Sequence, residues 1–595
     1  MSQVCNGILF LLLLTNPVPS TAQDPGPRIE EIVHRAMKKH GVVGASLTLV
    51  DSSGIFLSKG FGYADKSLGI RATGKTIYPF GSIAKVITMA SVLKLQDMGK
   101  LDIDSPFQKY VPDYRINQHF TPQIAFTIFD VLTQQAGIPR TRLKDLYTDH
   151  AGPTDFYHLI AEEKSNFLIA PPKHVYQYSD IGFTMLGLLP RYTAQVDYTD
   201  FVRREIFSPL GMSNASFHRD SARTNYTKGY EKGEEAKIFA TRYLPAFGLQ
   251  ASSEDLAKFM YAFLNEGKSI TGKQVISPEM THRAITRQNL ETRLAFSNHL
   301  GLTWWRNDFY GYTSVYHGGE QKPCLSMARM LPELNIGISL VMNTDTNGDF
   351  IAEVTEQVLL EIMKSRNIPF AKDYYKKFAS KKVPQASSAE NRFVGDYASS
   401  YGIISIQSRN NHFNVQLVSV GKKFRGKLMS DSTLQLTTKV LGIYPVNVMR
   451  LFVEEVDGRK IIGTKSSRTG RKIFGGEMIN FEKTSTAWNN QMGIYRISNL
   501  NNREYVLLEA IEVSRYKGII VISGEGTIPG AEKFQFCLRP MNDSLAVVQG
   551  IGGQGLLGET IKRYQKDGSE FIEIAGYAFR KDNGSNLVEP AKHLQ

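Results

Sequence analysis

The chain has 595 residues and carries 70 Lys and Arg against 57 Asp and Glu, a formal charge of +13. Apolar residues make up 42% and charged residues 21%, which excludes a disordered tail protein, a collagen or a coiled coil. The length exceeds what one core can fill, so about three or four domains are expected, and after residue 14 no apolar run reaches the ~18 residues of a membrane span.

Ile8 to Leu14 is unbroken apolar sequence, and Ser20-Thr21-Ala22 offers the small residues of a cleavage site. Residues 1–22 therefore read as a secretory signal peptide and the protein as secreted and extracellular. Asn-x-Ser/Thr tripeptides at Asn214, Asn225, Asn542 and Asn583 suit that route and are candidate glycosylation sites. Removing the signal leaves Cys324 and Cys537, so at most one disulfide forms and the fold must rest on packed cores. No Cys/His cluster has zinc spacing and no glycine-rich loop links a strand to a helix, so neither metal nor cofactor is expected.

Arg28 to His40 has Ile29, Ile32, Val33 and Met37 at helical spacing. Two strand-like runs follow, Ala45–Val50 and Ile55–Gly60, joined by the turn Asp51-Ser52-Ser53-Gly54. Ser82 to Met98 is apolar with helical periodicity and stops at Gly99. Mixed helices and loops fill the middle, and strand character returns at Tyr312–Tyr316, Leu325–Met330 and Ile336–Met342, before a helix around Val354–Met363. This order predicts an α/β (α+β) sandwich over residues 23–365, its antiparallel sheet built from both ends of the segment. Residues 366–392 are basic and polar and read as a linker. Short alternating strands follow (Ile403–Gln407, His412–Leu417, Leu434–Thr437, Met449–Val453), and the same texture restarts after Trp488. Gly395-Asp396-Tyr397 and Gly493-Ile494-Tyr495 share Gly-x-Tyr, which predicts two small all-β barrels, over 393–485 and 486–595; a single larger β domain is the alternative.

Within the run Tyr78-Pro79-Phe80-Gly81-Ser82-Ile83-Ala84-Lys85, Ser82 opens a helix and Lys85 returns to its face one turn later. A serine hydroxyl attacks well only when a neighbour takes its proton, and a lysine one turn away can do this. By itself Ser-x-x-Lys also fits a capping serine with an exposed lysine. Two further elements follow in order. Tyr178-Ser179-Asp180 lies in a turn before an apolar helix, and His317-Gly318-Gly319 lies where a strand ends.

With those three elements the sequence resembles the serine β-lactamase-like superfamily: class C β-lactamases, D-alanyl-D-alanine carboxypeptidases, D-aminopeptidases and lactamase-fold esterases. The resemblance covers about residues 28–365 and extends to Phe61-Gly62-Tyr63-Ala64-Asp65, Leu101-Asp102-Ile103-Asp104-Ser105-Pro106, Pro209-Leu210-Gly211-Met212 and Gly248-Leu249 with Ser252-Ser253-Glu254-Asp255-Leu256. It implies a serine β-lactamase-like fold with a helical subdomain, and a hydrolase working through an acyl-enzyme on Ser82. Lys85 would hydrogen-bond the serine, Tyr178 would shuttle the proton, and His317 would hydrogen-bond the tyrosine and help protonate the leaving group. The N–H groups of Ser82 and Glu320 would hold the oxyanion, with Gly318 and Gly319 shaping the same strand.

The departures from the family pattern point to the substrate. Asp180 stands where Asn is commoner, and a carboxylate there favours a charged Lys85 and places more of the proton transfer on Tyr178. His317 replaces the lysine of β-lactamases, and Gly318 replaces a hydroxyl residue that often holds a substrate carboxylate. The expected substrate is therefore a small ester or an amide such as a D-amino-acid peptide. Gln134-Gln135-Ala136-Gly137 stands where the family often has His-Thr-Ser-Gly, which alters the surroundings of the site. Lys422, Lys423, Arg425, Lys427, Arg459, Lys460, Lys465, Arg468, Arg471 and Lys472 crowd the first barrel region, as a solvated face or as a surface for acidic polysaccharide or extracellular matrix. Secretion would exclude nucleic acid as a partner. The competing expectation is a secreted, non-enzymatic matrix protein, of the shell-matrix kind, that keeps the fold.

Overall fold

The computed structural model describes residues 24–371 and 391–582, apart from stretches of at most seven residues within each. The expected signal peptide, most of the linker and Asn583 lie outside the described residues. The first helix, α1 (Gly26–His40), carries Pro27 in its first turn and ends at Gly41, whose φ of 68° is the left-handed cap that glycine adopts without strain. Its apolar face, Ile29 to Met37, is buried, and Lys38, Lys39 and His40 sit at the negative end of the helix dipole.

The hairpin expected at Asp51–Gly54 forms. β1 (Gly44–Asp51) pairs with β2 (Gly54–Asp65), and Ser53 N donates to Asp51 Oδ1 at 2.8 Å to close the turn. The remaining strands of this region are β3 (Ile70–Arg71), β4 (Tyr78–Gly81), β5 (Gly229–Glu231), β6 (Glu234–Ala236), β7 (Leu249–Ala251), β8 (His299–Leu300), β9 (Trp305–Phe309), β10 (Tyr312–Gln321), β11 (Cys324–Leu331) and β12 (Ile336–Met342). The main sheet runs β3-β2-β1-β12-β11-β10-β9-β8. It is antiparallel, and its first three strands come from one end of the segment and the other five from the far end.

Every residue of β12 and nearly every residue of β1 is buried, because helices cover both faces of the sheet. α1 and the helix Asp349–Ser365 close one face around Ile29, Leu47, Ile338 and Val358. The helix Ser253–Leu264 packs on the other, its start fixed by a capping box in which Asp255 N donates to Ser252 Oγ at 3.1 Å. Beyond it lies the helical subdomain, whose centre is α2 (Ala84–Asp97), buried along its first ten residues. His317-Gly318-Gly319, expected at a strand end, lies inside β10, because pairing with β11 continues to Gln321.

The two expected barrels form and both are closed. The first contains β13 (Gly395–Ser399), β14 (Gly402–Arg409), β15 (His412–Leu417), β16 (Lys422–Leu428), β17 (Leu434–Val440), β18 (Tyr444–Val456), β19 (Arg459–Lys465) and β20 (Lys472–Met478), neighbours in sequence order. The second repeats this order in eight strands from Gly493 to Lys581. The Gly-x-Tyr repeat marks the closing strand in each. Tyr397 lies opposite Met478 and donates to Phe393 O at 3.0 Å; Tyr495 lies opposite Lys581 and donates to Gln491 O at 3.0 Å.

The barrels pack on one another through Ala398, Ile403, Ile519 and Val521, with Lys517 paired to Asp396 at 2.7 Å. Both also touch the first region. Ile461 of the first barrel packs with Ala170, Val175 and Leu294, and Lys144 N donates to Ala575 O of the second at 3.1 Å. Cys324 and Cys537 are free and buried, so packing and polar contacts, with no disulfide between these two cysteines, hold the regions together.

Candidate active site

β4 is wholly buried and delivers Ser82 to the start of α2. The chain there runs against β10. Gly81 has a φ of 54°, and a methyl on it would lie 2.4 Å from the Glu320 carbonyl oxygen, while one on Gly319 would lie 1.9 Å from Phe80 O. Only glycines permit this approach. It sets the backbone of Glu320 beside the residue that precedes Ser82, and Ser326 Oγ ties the two segments by bonding Phe80 O at 3.1 Å and Gly319 O at 3.3 Å.

Lys85 is fully buried, which rules out the capping-serine-and-exposed-lysine reading of the motif. Its Nζ lies 3.2 Å from Ser82 Oγ, 2.8 Å from Asp180 Oδ1 and 3.0 Å from Ala246 O. Three acceptors meet the three N–H donors of an ammonium, and a neutral amine could turn its lone pair to the serine hydroxyl without losing the other two contacts. The rings of Phe247 and Tyr178 enclose it, with centroids 4.1 and 4.8 Å from Nζ.

The Tyr178-Ser179-Asp180 turn is held by the loop Gln134–Arg140. Ser179 N donates to Gln134 Oε1 at 2.8 Å, Ser179 Oγ to Pro139 O at 2.6 Å, Gln177 N to Gln134 O at 2.7 Å and Asp180 N to Arg140 O at 2.6 Å. Ser179 Oγ also accepts from Gly182 N at 2.9 Å and so caps the helix Asp180–Leu186. Gln134 reaches this position from a backbone φ of 57°. With the turn locked, Asp180 meets Lys85, and the half-buried Tyr178 lies beside Lys85 and Ser82.

Burial pulls the Lys85 ammonium below the ordinary lysine pKa, against the opposing attraction of Asp180. Burial, and after it the Asp180 carboxylate, push the Tyr178 phenol above its ordinary value. This reverses the expectation that Asp180 moves the proton transfer onto Tyr178. Loss of water outweighs the carboxylate at Lys85, and the same carboxylate opposes a phenolate.

His317 also departs from expectation. It is fully buried, and its Nδ1 lies 2.7 Å from Gly318 O, which can only accept, so Nδ1 carries the proton. Nε2 is then a lone-pair acceptor, and it is buried without a hydrogen-bond partner, so the expected bond to Tyr178 is absent. The ring instead stacks on Trp305 at 4.6 Å and 6°, and Trp305 leans on Tyr178 at 5.9 Å. Burial and the Lys85 charge push the imidazole down to about 3, which keeps it neutral.

Four of the expected residues, Ser82, Lys85, Tyr178 and Asp180, thus converge directly, and His317 joins them through Trp305. Gly318, Gly319 and Glu320 lie on the adjoining strand. Sequence reasoning missed Gln134 as the anchor of the turn, Ala246 as an acceptor for Lys85, and Trp305 as the bridge. The doublet Trp304-Trp305, in a chain with three tryptophans, was the available signal for the last. Among the sequons, Asn542 is exposed, whereas Asn225 Nδ2 already donates to Lys75 O at 2.8 Å.

The family model described as Beta-lactamase matches residues 29–361. The chain is similar to Protein flp of Staphylococcus aureus (strain NCTC 8325 / PS 47), 24% identical over 356 residues, which is 58% of this chain and 68% of that protein. It is also similar to Putative beta-lactamase-like 1 of Homo sapiens, 24% identical over 343 residues, 55% of this chain and 66% of that one. Among solved structures, the crystal structure of SurE with D-Leu aligns with a TM-score of 0.57 at 17% identity, covering 76% of this chain and 99% of that one. Residues 1–371 could supply only 371 of 595, about 62%, so this likeness of fold reaches into the barrels.

Proposed function

The chain belongs to the Beta-lactamase family, and from that premise we propose that it is a secreted serine hydrolase that forms an acyl-enzyme on Ser82 with a small ester or a D-amino-acid amide. The observation that carries this reading is the buried Lys85 amine, 3.2 Å from Ser82 Oγ and depressed in basicity by its dry surroundings. Ser82 Oγ attacks the carbonyl carbon while its proton passes to Lys85 Nζ. The bond to the leaving alcohol or amine breaks as that proton is delivered through the Tyr178 hydroxyl. Water then attacks the acyl-enzyme by the same route in reverse and frees the acid and Ser82. The N–H groups of Ser82 and Glu320 hold the developing oxyanion, a role supported by the glycine contact that brings their backbones together.

His317 enters as a neutral acceptor. Its Nε2 is available to a substrate N–H or to Tyr178 once a substrate fills the cleft. Gly318 offers no hydroxyl to a substrate carboxylate, which favours esters and amides over penicillins. The secretory setting is supported by the apolar run Ile8–Leu14 and by the exposed sequon at Asn542.

Labelling of the full chain with a fluorophosphonate probe, together with hydrolysis of short-chain nitrophenyl esters and D-amino-acid anilides, tests this reading. The native chain is labelled, and Ser82→Ala removes labelling and lowers hydrolysis by at least about a thousand-fold. A native chain that neither labels nor hydrolyses overturns the enzyme and leaves a non-enzymatic extracellular protein.

A further inference from the structure

We propose that the outer face of the first barrel, from β15 to β19, is a binding surface for a linear acidic polysaccharide. In β16 the residues alternate: Phe424, Gly426 and Leu428 are buried on the interior side, and Lys423, Arg425 and Lys427 face water. Alternate residues of a strand are about 6.7 Å apart, so these cations form a straight row. A second row crosses it. Lys427 lies opposite Gln435, Gln435 opposite Arg450, and Arg450 opposite Lys465. At about 4.8 Å per strand it spans roughly 14 Å.

Neutralisation is graded across these strands, complete towards β20 and, among the described residues, absent on β16. At the far end of β19 Arg459 pairs with Glu477, and Lys472, which lies opposite Lys465 and continues the second row, pairs with Glu454. On the proposed face Arg450 and Lys465 share one carboxylate, Asp431, at 3.7 and 3.2 Å. Among the described residues, no carboxylate lies within ion-pair distance of Lys423, Arg425 or Lys427. With the Lys472–Glu454 pair neutral, the five cations Lys423, Arg425, Lys427, Arg450 and Lys465 face one anion, Asp431, a surplus of four. Such a surplus repels itself unless an anionic chain lies across it.

The neighbours suit a sugar chain. Gln416 lies opposite Lys423 and Asn414 opposite Arg425 on one side, and Thr437 lies opposite Arg425 on the other, which offers hydrogen bonds to hydroxyl groups between the charges. The Arg450 guanidinium is held in place by donation from Nε to Gln435 Oε1 at 3.1 Å. No exposed Phe, Tyr or Trp stands on this face among the described residues, so single-stranded nucleic acid finds no base-stacking platform there.

The test uses the full chain and two charge-reversal variants of equal net charge. One is Lys423→Glu/Arg425→Glu/Lys427→Glu. The other carries Lys38→Glu/Lys100→Glu/Lys566→Glu, at exposed positions elsewhere. Binding to heparin and to a single-stranded DNA of matched charge is measured over a salt series, with ester hydrolysis and Tm as controls on folding. The native chain should bind heparin more tightly than DNA. The β16 variant should weaken heparin binding at least ten-fold and lower the salt slope by about two to three, one per lost ionic contact. The control variant should retain most of the binding, and both should hydrolyse ester like the native chain. Equal weakening in both variants, no heparin binding by the native chain, or DNA bound as tightly as heparin would each overturn the proposal.

Discussion

Lys85 is wholly enclosed, its three donors met by Ser82, Asp180 and Ala246, whereas Lys423, Arg425 and Lys427 stand in water on the first barrel with no carboxylate partner. The first region pays for its cation with a buried carboxylate and in return obtains an amine whose proton affinity is open to tuning. In the barrel, water already solvates the cations, their chemistry stays ordinary, and they act only through the field they project. The proposed roles of a basic side chain, a reagent in one place and a docking charge in the other, thus differ through burial.

Removing the reagent is the sharpest way to break that comparison. Lys85→Met should reduce ester hydrolysis by about a thousand-fold and cost roughly 3–5 kcal/mol of stability, because Asp180 is left as an uncompensated buried charge. The double variant Lys85→Met/Asp180→Asn should recover most of the stability in urea unfolding and none of the activity. Recovery of both would mean that the pair is only structural.

The next effect concerns pH. The His317 imidazole is lowered from 6.5 to about 3 in the folded chain. Between those values the unfolded chain binds a proton that the folded chain does not, so stability falls as pH drops from about 6.5 towards about 3. The loss is on the order of a few kcal/mol, and His317→Phe should flatten it. Unfolding midpoints measured across that window in both proteins check this, and parallel curves would count against a neutral buried His317.

The smallest effect compares the barrels with each other. Tyr397→Phe and Tyr495→Phe each remove one buried hydrogen bond to a carbonyl four residues earlier, and each should cost about 1 kcal/mol. Unequal losses would show that the second barrel, whose Tyr495 also bonds Gln491 Oε1 at 2.9 Å, depends more on its closing tyrosine.

Much of this arrangement was legible in the chain. The hairpin at Asp51–Gly54, the buried helix after Ser82 and the Gly-x-Tyr repeat are local patterns, and short-range sterics and periodicity express them wherever they occur. The Ser82, Lys85, Tyr178 and Asp180 constellation was readable because its spacing resembles a known family. What held the constellation together was not. Gln134 acts through a left-handed backbone and a bond to a residue 45 positions away. Trp305 joins His317 to Tyr178 by ring stacking, and Ala246 contributes only a carbonyl. None of these roles depends on a neighbour in sequence.

Residue order alone therefore determined which elements form, that the sheet is assembled from two distant segments, that two barrels follow, and that Ser82, Lys85, Tyr178 and Asp180 are candidates for one site. Tertiary structure decided the direction in which each group's basicity moves and the partners: that Lys85 is lowered while Tyr178 is raised, that His317 is lowered and stacked, and which cations of the first barrel are neutralised. The reason is that secondary structure follows from interactions a few residues apart. Desolvation and charge pairing depend instead on every group brought within several ångströms, wherever it lies along the chain.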